Sequence, residues 1–157
     1  MRVYADSSYI VKLLAREPGT EEALAEYRRL GRPALPFLPL HALEVENAIR
    51  AKAFHQRRSL ASRERSHIAR EEAAALQRLE HFMIRGVLLQ GEGDWTAACA
   101  RAATLSRQHT RSTGVRTLDL LHLAFALELD SEILLSTDDC QAKVASLEGL
   151  EVVHLLD

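Results

Sequence analysis

The chain is predicted to be α/β, a parallel sheet flanked by helices in a single domain spanning residues 1–157. Three observations predict this. Short apolar runs alternate with longer stretches of helical periodicity, as expected where crossover helices link parallel strands. The 157 residues suit one core of ordinary size. A balance of 47% hydrophobic and 27% charged residues is that of a globular domain.

The elements follow in order. Arg2 to Ala5 reads as a strand running straight into a helix that Ser7 or Ser8 caps. That helix carries Ile10, Val11, Leu13 and Leu14 and stops at Pro18 and Gly19. Thr20, with Glu21 and Glu22 near the positive dipole end, starts a second helix ending near Gly31. Leu35 to Leu38, beside Pro36 and Pro39, suits an edge strand. His41 to about Arg57 has a helical stripe of Leu43, Val45, Ala48, Ile49, Ala53 and Phe54. Ser59 or Ser62 then starts a long helix with Ile68, Ala75, Leu76, Leu79, Phe82 and Met83 on one side. Val87 to Leu89 is a short strand, followed by a turn at Gly91 to Asp94 and a helix from Trp95 to about Gln108. After the break at Thr113 and Gly114, Thr117 caps an apolar helix over Leu118 to Leu129. Ile133 to Leu135 is a buried strand, Asp138 opens a small helix, and Val152 to Leu155 is the last strand.

The longest apolar stretch, Leu118 to Leu129, contains Asp119, His122 and Glu128 and is too short to span a membrane. Asp6 interrupts what would be a signal-peptide apolar region, so a cytoplasmic protein without a membrane segment is expected. Cys99 and Cys140 form no CxxC pair and are expected to be reduced and structural. The formal net charge of −2 argues against a chain wrapped in nucleic acid, but the charge is segregated. Arg50, Lys52, Arg57, Arg58, Arg63, Arg65 and Arg70 face Glu64 alone. Cys99 to Arg116 holds four arginines and no acid, whereas eight acids between Glu128 and Asp157 meet only Lys143.

Four carboxylates stand at element boundaries: Asp6 after the first strand, Glu44 early in a helix, Asp119 opening the apolar helix and Asp138 after a buried strand. Taken singly, Asp6 suits a helix cap, Asp119 and Asp138 a first helical turn, and Glu44 a surface charge. In open parallel sheets, however, the carboxyl ends of the strands gather such residues at one edge. Clustered carboxylates repel unless a cation joins them, and oxygen-only ligands suit Mg2+ or Mn2+. No histidine pair has zinc-hydrolase spacing, and no phosphate loop, dinucleotide turn or serine elbow is present.

With these residues in view, the sequence resembles PIN-domain ribonucleases, specifically the toxin half of VapBC toxin–antitoxin pairs. The resemblance spans the chain through VYADSSYIVKLL, LHALEVENAIRAK, RTLDLLHLAFALEL and ILLSTDDCQAKVA. It implies a three-layer α/β/α sandwich and a Mg2+ or Mn2+ site made by Asp6, Glu44, Asp119 and Asp138. Ser8, Asn47 and Ser136 match the residues that orient these ligands. Glu46 and Asp139 stand as alternatives to Glu44 and Asp138. The preferred pair rests on Asn47 following Glu44 at +3 and Ser136 preceding Asp138.

The activity implied is endonucleolytic hydrolysis of RNA, with Arg50, Lys52, Arg57, Arg58 and Arg116 placed to hold its backbone. Few aromatics are available for stacking on bases. The implied partners are a VapB-like antitoxin and a second copy in a homodimer. The stripe of Ala48, Ile49, Phe54, Ile68, Leu76 and Leu79 is assigned mainly to the core, with part of it open to an antitoxin helix. Two alternatives stay open at this point: a receiver-like Mg2+-binding signalling domain, which would need a conjugate lysine, and a PIN-fold RNA-binding module without catalysis.

Overall fold

The computed structural model describes residues 1–59 and 65–155. Ser62, Arg63, Glu64 and Asp157, which enter the sequence reading above, lie outside the described residues. Among the described residues, five parallel strands form two sheets. β1 (Val3–Ala5), β4 (Ile133–Ser136) and β5 (Glu151–His154) make one in the order β1-β4-β5, and β2 (Leu35–Phe37) and β3 (Leu88–Gln90) make the other. Ala5 is opposite Leu135, and Leu135 is opposite Val153.

Period-two alternation splits the core into two layers. Val3, Ala5, Ile133 and Leu135 pack with α1 (Ser7–Leu14), α2 (Thr20–Arg29), α3 (Pro39–Ser59) and α4 (Arg65–Ile84). Tyr4 and Leu134 face the opposite way, into α5 (Trp95–Leu105), α7 (Thr117–Glu128) and α8 (Asp139–Leu147). The result is the expected three-layer sandwich. Among the described residues no helix is long and apolar enough to cross a membrane.

The two sheets meet at a side chain. β2 packs beside β1, but the residue facing β1 is Pro36, which has no N–H to give, because Leu35 and Phe37 use their groups toward β3. His41, fully buried, takes the place of the missing rung. Its Nδ1 accepts from the Leu38 N–H at 3.0 Å and its Nε2 donates to the Ala5 carbonyl at 2.9 Å. The first bond fixes the neutral tautomer with the proton on Nε2.

Several boundaries differ from the sequence reading. α3 begins two residues before His41, with Pro39 in the first turn where its absent N–H is harmless. Ser59 ends α3 instead of starting α4. The helix from Trp95 continues beyond Gln108 through a π-helical turn (Ser106–Thr110) into α6 (Arg111–Thr113) and stops at Gly114, whose φ is 72°. The residue capping α7 is Arg116, not Thr117. Cys99 is a free, exposed thiol and Cys140 is half-buried, so only the latter has the character of a structural residue.

Candidate active site

Asp6 follows β1 and caps α1, its Oδ1 accepting from the Tyr9 N–H at 2.8 Å and from Ser8 Oγ at 2.6 Å. Only 4% of the residue is exposed. Burial raises its pKa above the ordinary carboxyl value, although His122 and the bonds from Ser136, Ser8 and Tyr9 pull the other way. Its Oδ2 lies 2.6 Å from Ser136 Oγ at the end of β4. Ser8 also receives the Thr137 hydroxyl at 2.8 Å, so the loops after β1 and β4 are tied directly together.

Ser136 Oγ is 2.7 Å from Gln141 Oε1 and accepts the Asp138 N–H at 3.0 Å. The Gln141 amide is oriented by its Nε2, which donates to the Asp119 carbonyl at 3.1 Å, and its backbone N–H meets Asp138 Oδ1 at 2.8 Å. One buried glutamine therefore joins the loop of Asp6, the cap of α8 and the first turn of α7. The hydroxyl of Ser136 has a single proton for two acceptors, Asp6 Oδ2 and Gln141 Oε1. A proton on Asp6 completes that chain; an ionised Asp6 leaves it one proton short.

Glu44, on the first turns of α3, is held from the other side of the cleft. Its Oε2 accepts from Ser7 Oγ at 2.9 Å and from His122 Nε2 at 2.5 Å. His122 Nδ1 lies 2.9 Å from the Tyr4 hydroxyl, which braces the ring with its Nε2–H facing Glu44. Desolvation raises the Glu44 pKa, but His122, Ser7 and Arg116 outweigh it, and the net shift is downward. Asp119 is in the first turn of α7. Its Oδ2 lies 2.9 Å from Arg116 Nε, and Arg116 Nη2 reaches Asp138 Oδ2 at 3.1 Å.

All four predicted acids line one cleft of about 860 Å3, together with Ser8 and Asn47. Among the described residues no three His, Cys, Asp or Glu side chains converge into a ready-made metal cage. The donors are nevertheless hard oxygens on four separate elements, and a cation, the Arg116 guanidinium, already seats between two of them. This suits an ion that keeps several of its waters and takes few protein ligands. Glu46 is paired with Arg50 at 2.7 Å, and Asp139 stands beside His154 with a side chain 84% exposed; neither lines the cleft.

The basic residues are arranged differently from the sequence reading. Lys52 pairs with Glu17, Arg57 with Glu72, and Arg58 lies over the Phe54 ring. The bases lining the cleft are Lys12 and Arg116. In the apolar stripe, Ile49, Ile68 and Leu79 are core, whereas Phe54 is exposed and Ala48 lines the cleft. Sequence reasoning missed His122, Gln141, Ser7 and Tyr4. The signal for His122 was its spacing of three from Asp119, which puts both on one side of α7.

A comparison with curated proteins finds no match. Among solved structures, the fold is similar to VapBC2 from Rickettsia felis bound to a DNA fragment from their promoter, with TM-score 0.61 and 13% identity over 98% of each chain. It is similar to FitAcB from Neisseria gonorrhoeae, with TM-score 0.60 and 15% identity over 96% of this chain and 95% of that one. It is also similar to VapBC-1 from nontypeable Haemophilus influenzae, with TM-score 0.55 and 14% identity over 98% of both. The model of the PIN domain family matches residues 3–147, and the chain belongs to that family.

Proposed function

We propose that the protein is a metal-dependent endoribonuclease that hydrolyses RNA phosphodiester bonds, the toxin of a VapBC-type toxin–antitoxin pair. The observation carrying this reading is the convergence of Asp6, Glu44, Asp119 and Asp138, from four elements, on one cleft in a PIN domain. PIN domains are generally nucleases, and PIN nucleases generally use divalent metals.

In this reading the four carboxylates hold Mg2+ or Mn2+, which when bound supplies an activated water and stabilises charge on the phosphate. The chain's own residues do the rest. Ser8 and Ser136 fix the two oxygens of Asp6, Gln141 fixes Asp138, and His122 with Ser7 fixes Glu44. Asn47 lines the same cleft one turn beyond Glu44. Arg116, now paired with Asp119 and Asp138, and Lys12, now paired with Glu17 and bonded to the Pro18 carbonyl, are the cations that line the cleft on the side open to the substrate's backbone. Arg50, Lys52, Arg57 and Arg58 engage RNA only by exchanging their present partners.

A receiver-like domain is set aside by the family match, and Lys143, its required cation, is exposed on α8 away from the cleft. The proposed partners are a VapB-like antitoxin and a second copy of the chain, in the cytoplasm. The test is incubation of the purified protein with a structured RNA in Mg2+, in Mn2+ and in EDTA, beside an Asp6→Asn, Asp119→Asn double variant. Internal cleavage that needs the metal and is lost in the variant is expected. Equal cleavage by the variant would overturn the site assignment, and absence of cleavage by an RNA-binding wild type would leave a binding module. A short neighbouring gene whose product co-purifies with this chain would support the toxin role.

A further inference from the structure

We infer that Arg116 is a displaceable internal counter-cation: it holds Asp119 and Asp138 together when the cleft carries no divalent ion and yields them when one binds. This rests on the metal-site reading above. A single guanidinium spans two carboxylates on different helices, with Nε 2.9 Å from Asp119 Oδ2 and Nη2 3.1 Å from Asp138 Oδ2. The carboxylates are largely buried and the cation is not. Asp119 and Asp138 side chains are 14% and 26% exposed, whereas that of Arg116 is 74% exposed. Asp138 is further fixed by the Gln141 N–H.

Asp6 and Glu44 line the same cleft, so with no cation between them four like charges would face one another. A metal coordinating the carboxylate oxygens that Arg116 now contacts displaces the guanidinium from them. Displacement is easy because an ion pair with one exposed partner gains little in water. The helix does not have to move for it. Arg116 caps α7 through its backbone, whose N–H meets Asp119 Oδ2 at 3.3 Å, so the side chain swings out from a fixed anchor. Released, it lies at the mouth of the cleft with the forked geometry that binds phosphate.

The test is calorimetric titration of Mn2+ alone, without RNA, into the wild type and the Arg116→Gln, Arg116→Lys and Asp6→Asn proteins, each checked for folding by circular dichroism. Arg116→Gln is expected to bind Mn2+ about three- to tenfold more tightly, since the competing ion pairs are gone. Arg116→Lys should fall between it and the wild type. In EDTA, Arg116→Gln should melt below the wild type, and Mn2+ should close the gap. Unchanged or weaker Mn2+ binding by folded Arg116→Gln would overturn the inference. If Asp6→Asn abolishes binding while Arg116→Gln binds no tighter, only this inference falls. If neither the wild type nor Arg116→Gln binds Mn2+, the metal-site reading falls with it.

Discussion

His122 Nε2 meets Glu44 Oε2 at 2.5 Å, joining a buried ring on α7 to a carboxylate on α3 that is 78 residues away in sequence. Tyr4, on β1, completes the line through Nδ1. Each member has a role the others require: the tyrosine braces the ring at Nδ1, and the ring presents its Nε2–H to the carboxylate. His122→Ala should therefore lower Mn2+ affinity and RNA cleavage by roughly 10- to 100-fold, the usual effect of losing a residue that orients a ligand. It should also cost about 1–3 kcal/mol of stability, because Tyr4 and Glu44 lose a partner. Tyr4→Phe should show the same pattern more weakly. Calorimetry with Mn2+ and urea unfolding check both; wild-type Mn2+ affinity in a folded His122→Ala protein would refute the role.

Asp6 and Asp138 were legible in the sequence because a strand running directly into a helix forces the joining acid to be both cap and edge residue. The layers were legible because alternation at Val3, Tyr4 and Ala5 sorts side chains to two faces. His122 was not. In a helix that is apolar on nearly every side, a histidine looks like core, and its partners come from β1 and α3. Gln141 was hidden in part for the same reason: its bonds to Ser136 and Asp138 are local, but the one that ties it to α7, from Nε2 to the Asp119 carbonyl, is made only by the fold. Arg116 was read as an RNA contact from its charge, but charge alone does not say that two carboxylates lie within its reach.

His41 makes stability depend on pH. Burial, with a smaller effect of His122 beside it, lowers its pKa from 6.5 to about 3, whereas the bond to the Ala5 carbonyl opposes the shift. The folded protein thus leaves His41 neutral over a range in which the unfolded chain takes up a proton. Stability is fully present above pH 6.5 and is lost as pH falls toward 3, with about 1.4 kcal/mol gone at pH 5.5 from this residue. His41→Gln should be less stable at pH 7.5 but flatter in its pH dependence. Urea midpoints at pH 7.5, 6.5 and 5.5 test this, and parallel slopes for the two proteins would contradict it.

Gly93 is required by contact and by backbone together. Its φ is 70°, and a Cβ there would lie 2.8 Å from Cε1 of Phe125, a fully buried ring on α7. Phe125 has little room to retreat, since its other neighbours include Trp95, edge-on at 5.0 Å. Gly93→Ala combines left-handed strain of about 1–2 kcal/mol with overpacking of about 1–3 kcal/mol. A loss of about 2–4 kcal/mol in urea unfolding is expected, and a change below about 0.5 kcal/mol would show that the turn relaxes.

Asp6→Asn should separate function from stability in the clearest way. The raised pKa of Asp6 means that its charged form is penalised by folding, so the native state loses stability as pH rises from the unfolded value of 3.8 through the folded one. At neutral pH without metal that penalty is present. An asparagine removes it and also meets the proton count around Ser136. Its Oδ1 keeps the Ser8 and Tyr9 donors, and its Nδ2 gives Ser136 a proton, freeing the hydroxyl to serve Gln141 Oε1. In EDTA at pH 7 the variant should be more stable than the wild type by about 1–2 kcal/mol, the scale of one hydrogen bond restored to a buried group. In excess Mn2+ the order should invert, because only the wild type gains from binding. Thermal melts with EDTA and with Mn2+ measure both limbs. A variant less stable than the wild type in EDTA would mean that burial of the Asp6 carboxylate is already compensated by its neighbours, and the one-proton shortfall at Ser136 would then be met by another donor.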